Sequence, residues 1–400
     1  MNIFGVNKNE IFTDIKNISK FQFVFLFSLI LWCLSMPFDN AIYQGSWILI
    51  NLVFVSHVVY YKNYNTVIEI LKKQKIYLVL FVLLCLVMAI SNALNTDVLG
   101  PKSWKIIVYF VLRFALIFLA LCYFIKIYNF SEKFILYSCI IGVCFLASAG
   151  LYEIITNYQN IFFYKNSRYG LEGFLRNRNG FGLMMGIGFT IILFYLKNTA
   201  FKAVLLSIFA LLIIFSFSRS AWVASSAATL FYVAINIKKF KKEYFYFALL
   251  FCFGVLVLYY FSDSLQHRFS TLVQGNSSHR FGIWQYSYEM FLKQPFFGWG
   301  IDSFRFVPNA PYLTNPNYSA PHNMIMELLY STGSLGFIAF MGLNLAIFIH
   351  LVKTKNTKVI GFFIFAFVVC QFDYGLFNTK ELLSYVTVFC FIGLKDRIIA

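Results

Sequence analysis

Apolar runs of bilayer length recur along this chain, and short lysine clusters separate them two runs at a time. A membrane span needs roughly 20 apolar residues, with a range of ~17–25. Twelve runs fit that measure, at about 20–38, 41–60, 76–94, 104–125, 134–156, 179–196, 201–217, 219–237, 243–262, 334–352, 358–374 and 380–395, the last two being short. Such a pattern restricts the fold to an all-α, polytopic membrane bundle of about 12 transmembrane helices, read as one integral domain over residues 1–400. With 60% hydrophobic residues, against ~45–50% in soluble domains, a soluble fold is excluded. The formal net charge of +17 does not point to nucleic acid, because the basic residues are dispersed between spans and form no single stripe.

The lysines test the span count. Lys8, Lys16 and Lys20 precede the first run, Lys62, Lys72, Lys73 and Lys75 follow the second, and Lys126 and Lys133 follow the fourth. Then come Lys197 and Lys202, the run Lys238, Lys239, Lys241 and Lys242, the set Lys353, Lys355 and Lys358, and Lys395 with Arg397. Each cluster falls on an even-numbered exit. Lys and Arg mark the retained side of a membrane, so that side and both termini are expected to be cytoplasmic. No small-x-small cleavage site follows the first run, which therefore reads as a retained span and not a signal peptide. All eight cysteines (Cys33, Cys85, Cys122, Cys139, Cys144, Cys252, Cys370, Cys390) lie in apolar runs, so no disulfide framework or cysteine metal site is indicated.

Two substantial loops belong to the opposite face. Residues 157–178 carry Lys165, Arg168, Arg176 and Arg178, and residues 263–333 carry Arg268, His279, Arg280, Arg305 and His322. Arginine there runs against the topogenic bias and calls for another reason, such as an anionic substrate. Pro308, Pro311 and Pro316 make the long loop irregular. Periodic apolar residues over 281–292 (Phe281, Trp284, Tyr288, Phe291, Leu292) predict an amphipathic helix at the membrane interface.

Arg219 stands between two apolar runs in FSFSRSAW. It reads either as a functional membrane-edge charge or as an arginine snorkelling to headgroups. Arg280 opens the amphipathic segment, as a site residue or a plain loop charge. Arg113, inside the fourth run, is expected to face the bundle interior beside a carboxylate or a substrate phosphate. Arg168, Arg176 and Arg178 form the densest outer-face charge and suit an anionic substrate or lipid headgroups. His322, in SAPHNMIMELL, lies at a membrane edge where an imidazole can act as a general base near neutral pH. His57 and His350 look like interface residues, and His267 and His279 are weaker candidates. No HExxH, P-loop, GxSxG or CxxC motif occurs, and no two carboxylates are spaced i, i+2. Work on an anion is therefore expected to fall to arginine, with no metal or cofactor.

Three stretches together are specific. SFSRSAW at the head of a span, Arg280-x3-Trp284 with the downstream KQPFFGWG (Lys293 to Gly300), and PHNMIMELLYSTGSLGF (Pro321 to Phe337) resemble the O-antigen ligase family. Their order and spacing cover about 216–340. The resemblance implies a GT-C-like membrane glycosyltransferase of the bacterial inner membrane, active on the periplasmic face without a nucleotide sugar or a metal. It would move a polysaccharide from undecaprenyl diphosphate onto lipid A-core oligosaccharide, inverting the anomeric centre. The family's arginines fall on Arg219 and Arg280 and its histidine on His322. Trp222, Trp284 and Asn323, inside the same motifs, join Arg113, Arg168, Arg176 and Arg178 as expected substrate contacts. Ser220 stands where a glycine often follows the arginine, a mild departure at a helix start.

The same superfamily holds polymerases, which often carry R-x10-G motifs. No outer-face arginine here has a glycine eleven residues on, which favours the ligase. A transferase with a polyprenyl monophosphate donor would need an acidic base in the first outer loop, where only Asp39 is available. A flippase or transporter would be expected to show repeated halves or broken spans in matching positions, and none is evident.

Overall fold

The computed structural model describes residues 19–38, 41–97, 99–163, 170–197, 200–239, 253–273, 280–305, 320–373 and 379–399. Among these residues there are helices and turns but no strand. In chain order the helices include α1 (Lys20–Ser35), α2 (Ala41–Tyr60), α3 (Tyr64–Lys73), α4 (Lys75–Leu94), α5 (Pro101–Tyr128), α6 (Glu132–Thr156), α7 (Tyr158–Phe163) and α8 (Arg178–Tyr195). They continue with α9 (Ala200–Phe215), α10 (Arg219–Asn236), α11 (Asp263–Val273), α12 (Arg280–Lys293), α13 (Met324–Lys353), α14 (Thr357–Cys370), α15 (Lys380–Leu394) and α16 (Asp396–Ile399). By length and composition six of them, α2, α4, α5, α6, α8 and α13, can cross a membrane. Shorter apolar helices are α1, α9 and α14. The first half of the span expected at 243–262 lies outside the described residues.

The chain forms two compact units, one of residues 1–43, 133–276 and 361–369, the other of residues 44–132, 277–360 and 370–400. In the first unit, glycines let helices meet backbone to side chain. A Cβ at Gly182 of α8 would lie 2.6 Å from Ser218 Cβ, and one at Gly186 would lie 3.2 Å from Ser225 Oγ. Further along, Phe194 packs on Tyr232 with ring centroids 5.4 Å apart. The pairs advance in the same direction along both helices, so α8 and α10 run parallel, and α9 is the return segment that connects them in sequence. Small residues at such crossings are what helix packing in lipid uses, because apolarity alone does not hold helices together there.

The second unit is built on α4 packed antiparallel to α13. Ser91 Oγ donates to the Ser331 carbonyl (2.7 Å) near one end, and Leu80 lies 3.5 Å from a Cβ built at Gly342 further along. The span expected at 334–352 is only the later part of α13, which starts at Met324 and is broken at Gly333 (φ 63, ψ −167). The PFFGWG segment fills the break. Trp299 and Gly300 amides donate to the Tyr330 and Ser331 carbonyls (2.9 Å each), and the Ser334 and Leu335 amides donate to Pro295 and Phe296 carbonyls (2.7 and 3.3 Å). Backbone groups freed by a broken helix must be satisfied by protein when buried. Gly333 has no room for a side chain, since a Cβ would lie 2.4 Å from the Phe296 carbonyl group. Thus the GWG and STGSLG stretches are two halves of one backbone lock.

The same unit gathers basic residues at one end. Glu69 of α3 meets Lys73 (3.2 Å) and Lys126 (2.5 Å), Lys395 pairs with Glu132, and Arg397 Nη1 donates to Tyr77 Oη (3.0 Å). Three basic clusters that sequence alternation assigns to one side thus adjoin. The other end of α4, 20 residues on, is ~30 Å away at 1.5 Å per residue. It is at that end that α13 begins.

Candidate active site

Asp373 brings two of the expected site residues together. Its carboxylate accepts from Arg280 Nη2 at 2.6 Å, with the two side chains 7% and 22% exposed. Its main-chain carbonyl accepts from His322 Nδ1 at 3.2 Å. A carbonyl oxygen can only accept, so Nδ1 carries the proton and the neutral ring presents its lone pair at Nε2. Orientation of one ring nitrogen by a fixed acceptor is how a histidine base is set in its working tautomer.

Local structure fixes each partner. Arg280 is the first residue of α12. His322 adopts φ 52, in the left-handed region, where histidine is more often found than most residues but still at a cost of order 1 kcal/mol. Asn323 caps α13 by accepting from the Met326 amide (3.0 Å), and its Nδ2 donates to the Gln371 carbonyl (3.0 Å). Trp284 Nε1 donates to the Pro321 carbonyl at 3.1 Å. Residues 284 and 323 therefore bracket His322 and tether it to α12 and to the 371–373 turn. The buried side of α12, Ile283, Tyr286 and Met290, packs with Phe304 and Tyr330 and anchors the helix. Phe281, Tyr288 and Leu292 point outward, 69%, 50% and 55% exposed. The core face of this helix is thus turned away from the aromatic stripe that the sequence suggests.

In the first unit, Arg219 is the first residue of α10 and is half-buried. Ser216, Ser218 and Ser220 around it are buried, with the Ser218 amide donating to Ser216 Oγ (3.2 Å) and Ser218 Oγ 3.0 Å from Ser220 Oγ. Arg178 is the first residue of the parallel helix α8, after Asn177, whose side chain caps it by accepting from the Asn179 and Gly180 amides (3.0 and 3.3 Å). Since Gly182 meets Ser218, α8 begins about one turn beyond α10. Two parallel helices opening on arginine put cations where the helix dipole is already positive, an arrangement that suits an anion. Arg176, exposed, precedes them in a loop held down by Glu153, whose carboxylate accepts from the Glu172 and Gly173 amides (3.1 and 2.8 Å). Trp222 Nε1 donates to the Ile213 carbonyl at 2.8 Å, a fastening role for its indole N–H. Arg168 and His279 lie outside the described residues.

Arg113 is buried in a π-helical turn of α5 (Val111–Leu116). It donates to Gln44 Oε1 at 2.8 Å and lies 5.1 Å and 4.5 Å from the ring centroids of Trp47 and Tyr109. Asn51 Nδ2 donates to the Leu112 carbonyl in the same turn (3.0 Å). The cation is thus received by an amide oxygen and two aromatic faces.

Two residues that the sequence does not single out matter here: Asp373, which joins Arg280 and His322, and Arg268, which holds the turn before Arg219. Asp373 is 93 residues from Arg280, beyond any local spacing. Its position at the end of the apolar run 358–374, on the arginine side, was the available signal.

Residues 203–341 match the family model described as O-antigen ligase. That stretch contains Arg219, Arg280 and His322 and coincides with the motifs that carried the resemblance. Over that stretch the chain is similar to the O-antigen ligase family. No curated protein matches the chain.

Proposed function

We propose that this chain is an O-antigen ligase, which transfers a polysaccharide from undecaprenyl diphosphate to lipid A-core oligosaccharide. The observation that carries this reading is the Asp373 bridge: one residue orients His322 through its carbonyl and holds Arg280 through its carboxylate. A base and a cation set side by side are what the reaction requires. His322 Nε2 takes the proton from the acceptor hydroxyl as its oxygen attacks the anomeric carbon. The bond to the diphosphate oxygen breaks, its electron pair leaves with the diphosphate, and the anomeric centre inverts. No general acid is needed, because a diphosphate is a good leaving group. Its developing charge is met by arginine forks: Arg280 from the bridge, and Arg219 as the resemblance implies. With arginine in that role no metal enters the scheme. Arg176 and Arg178, and Arg168 by sequence, suit further phosphate or acidic-sugar contacts.

The basic end of the second unit then faces the cytoplasm, and the Arg280–His322 end opens on the periplasm, about one membrane thickness away. A deletion strain tests the proposal. Lipopolysaccharide is expected to lose all polymer while long undecaprenyl-linked chains accumulate. A core bearing a single repeat would instead identify a polymerase.

A further inference from the structure

We propose that Arg268 is a positioning residue that sets Arg219 for the transfer reaction. This rests on the diphosphate-binding role given to Arg219 above. Arg268, on α11, is 8% exposed. Its Nε and Nη2 both donate to the main-chain carbonyl of Phe217, at 3.2 and 3.0 Å. Phe217 stands in the turn between α9 and α10 at φ 53, a left-handed conformation that a bulky aromatic residue rarely adopts and that its surroundings must impose.

Two residues later the chain enters α10 with Arg219. The next side chain on α11 takes a second grip: Phe269 stacks on Trp222, with ring centroids 5.3 Å apart and an interplanar angle of 26°. So α11 holds the Arg219 turn on both sides, through residue 217 before it and residue 222 after it. Arginine suits the first grip, because its rigid planar fork places two N–H groups on one acceptor and resists rotation of the peptide. A lysine offers a single mobile point. The hold lies on the backbone, so it fixes where the Arg219 side chain starts.

The test is a double-mutant cycle on the full chain in proteoliposomes, with a lipid-linked donor and a lipid A-core acceptor. Arg268→Met is expected to lower kcat by up to about 100-fold, the scale of a ~1 Å misplacement, with little change in the KM for acceptor. Arg268→Lys is expected to fall between Met and wild type. In an Arg219→Lys background, Arg268→Met should cost less than about threefold more, because residues acting as one unit are non-additive. Equal fold-losses in both backgrounds, or a wild-type kcat for Arg268→Met, would overturn the proposal. If Arg268→Met is not recovered in the membrane, Arg268→Lys decides by the same criterion of non-additivity. A wild-type rate for Arg219→Lys alone removes the role of Arg219 and the inference with it. An impaired Arg219→Lys with additive losses removes the inference only.

Discussion

His322→Ala is expected to lower transfer by ~10²–10⁴-fold, the usual contribution of a positioned general base, while undecaprenyl diphosphate binding survives. In the proposed mechanism the two effects separate, because the arginines are assigned to the donor and the imidazole to the acceptor. Alanine in the left-handed conformation of residue 322 (φ 52) raises the question of folding, which His322→Asn answers. Asparagine tolerates that region, and its amide nitrogen can still donate to the Asp373 carbonyl, but it has no basic nitrogen. Both variants are expected to be equally inactive, with membrane insertion and donor-induced thermal stabilisation retained. Transfer at more than a small fraction of the wild-type rate in both would remove His322 from the mechanism, and Glu327 and Asp302 would be the next bases to test.

Arg280→Lys is expected to lose roughly 10²–10³-fold in transfer, the scale of one preorganised electrostatic donor. Lysine keeps the charge beside Asp373, so the loss reports geometry: a planar fork can serve the carboxylate and a phosphate together, and a point charge cannot. Arg280→Ala is the poorer experiment. It leaves the Asp373 carboxylate, only 7% exposed, without its cation, and truncating one partner of a buried pair can itself cost ~3–5 kcal/mol. Asp373→Asn should be milder than either, because the main-chain carbonyl that orients His322 survives the substitution. A near-normal rate for Arg280→Lys would leave that position a generic charge.

Much of this was legible in the sequence. Run length and lysine alternation indicate a helical membrane bundle, and in the second unit Lys73, Lys126, Lys395 and Arg397 do share one end. Arg280 and His322 were drawn into one set of site residues by the resemblance, while their common partner Asp373 was not. Less visible was the phase of α12. The sequence offers Phe281, Trp284, Tyr288, Phe291 and Leu292 as an apolar stripe, but the helix buries Ile283, Tyr286, Ser287 and Met290. In a membrane protein, apolarity does not tell an inward face from one that meets lipid. The start of α13 was also hidden, because Ser331, Thr332 and Gly333 interrupt the hydropathy where a backbone lock with Pro295–Gly300 keeps the helix on course. Asp373 meets His322 through its own main-chain carbonyl, and Arg268 holds the main-chain carbonyl of Phe217; the side-chain identities of residues 373 and 217 carry no record of those two contacts.

The most direct measurement is transfer by the purified protein in proteoliposomes, given a polysaccharide of defined length on undecaprenyl diphosphate and a lipid A-core acceptor. A ligase produces acceptor carrying one polymer of unchanged length, with free undecaprenyl diphosphate released. Donor that grows in steps while the acceptor stays bare would contradict the account.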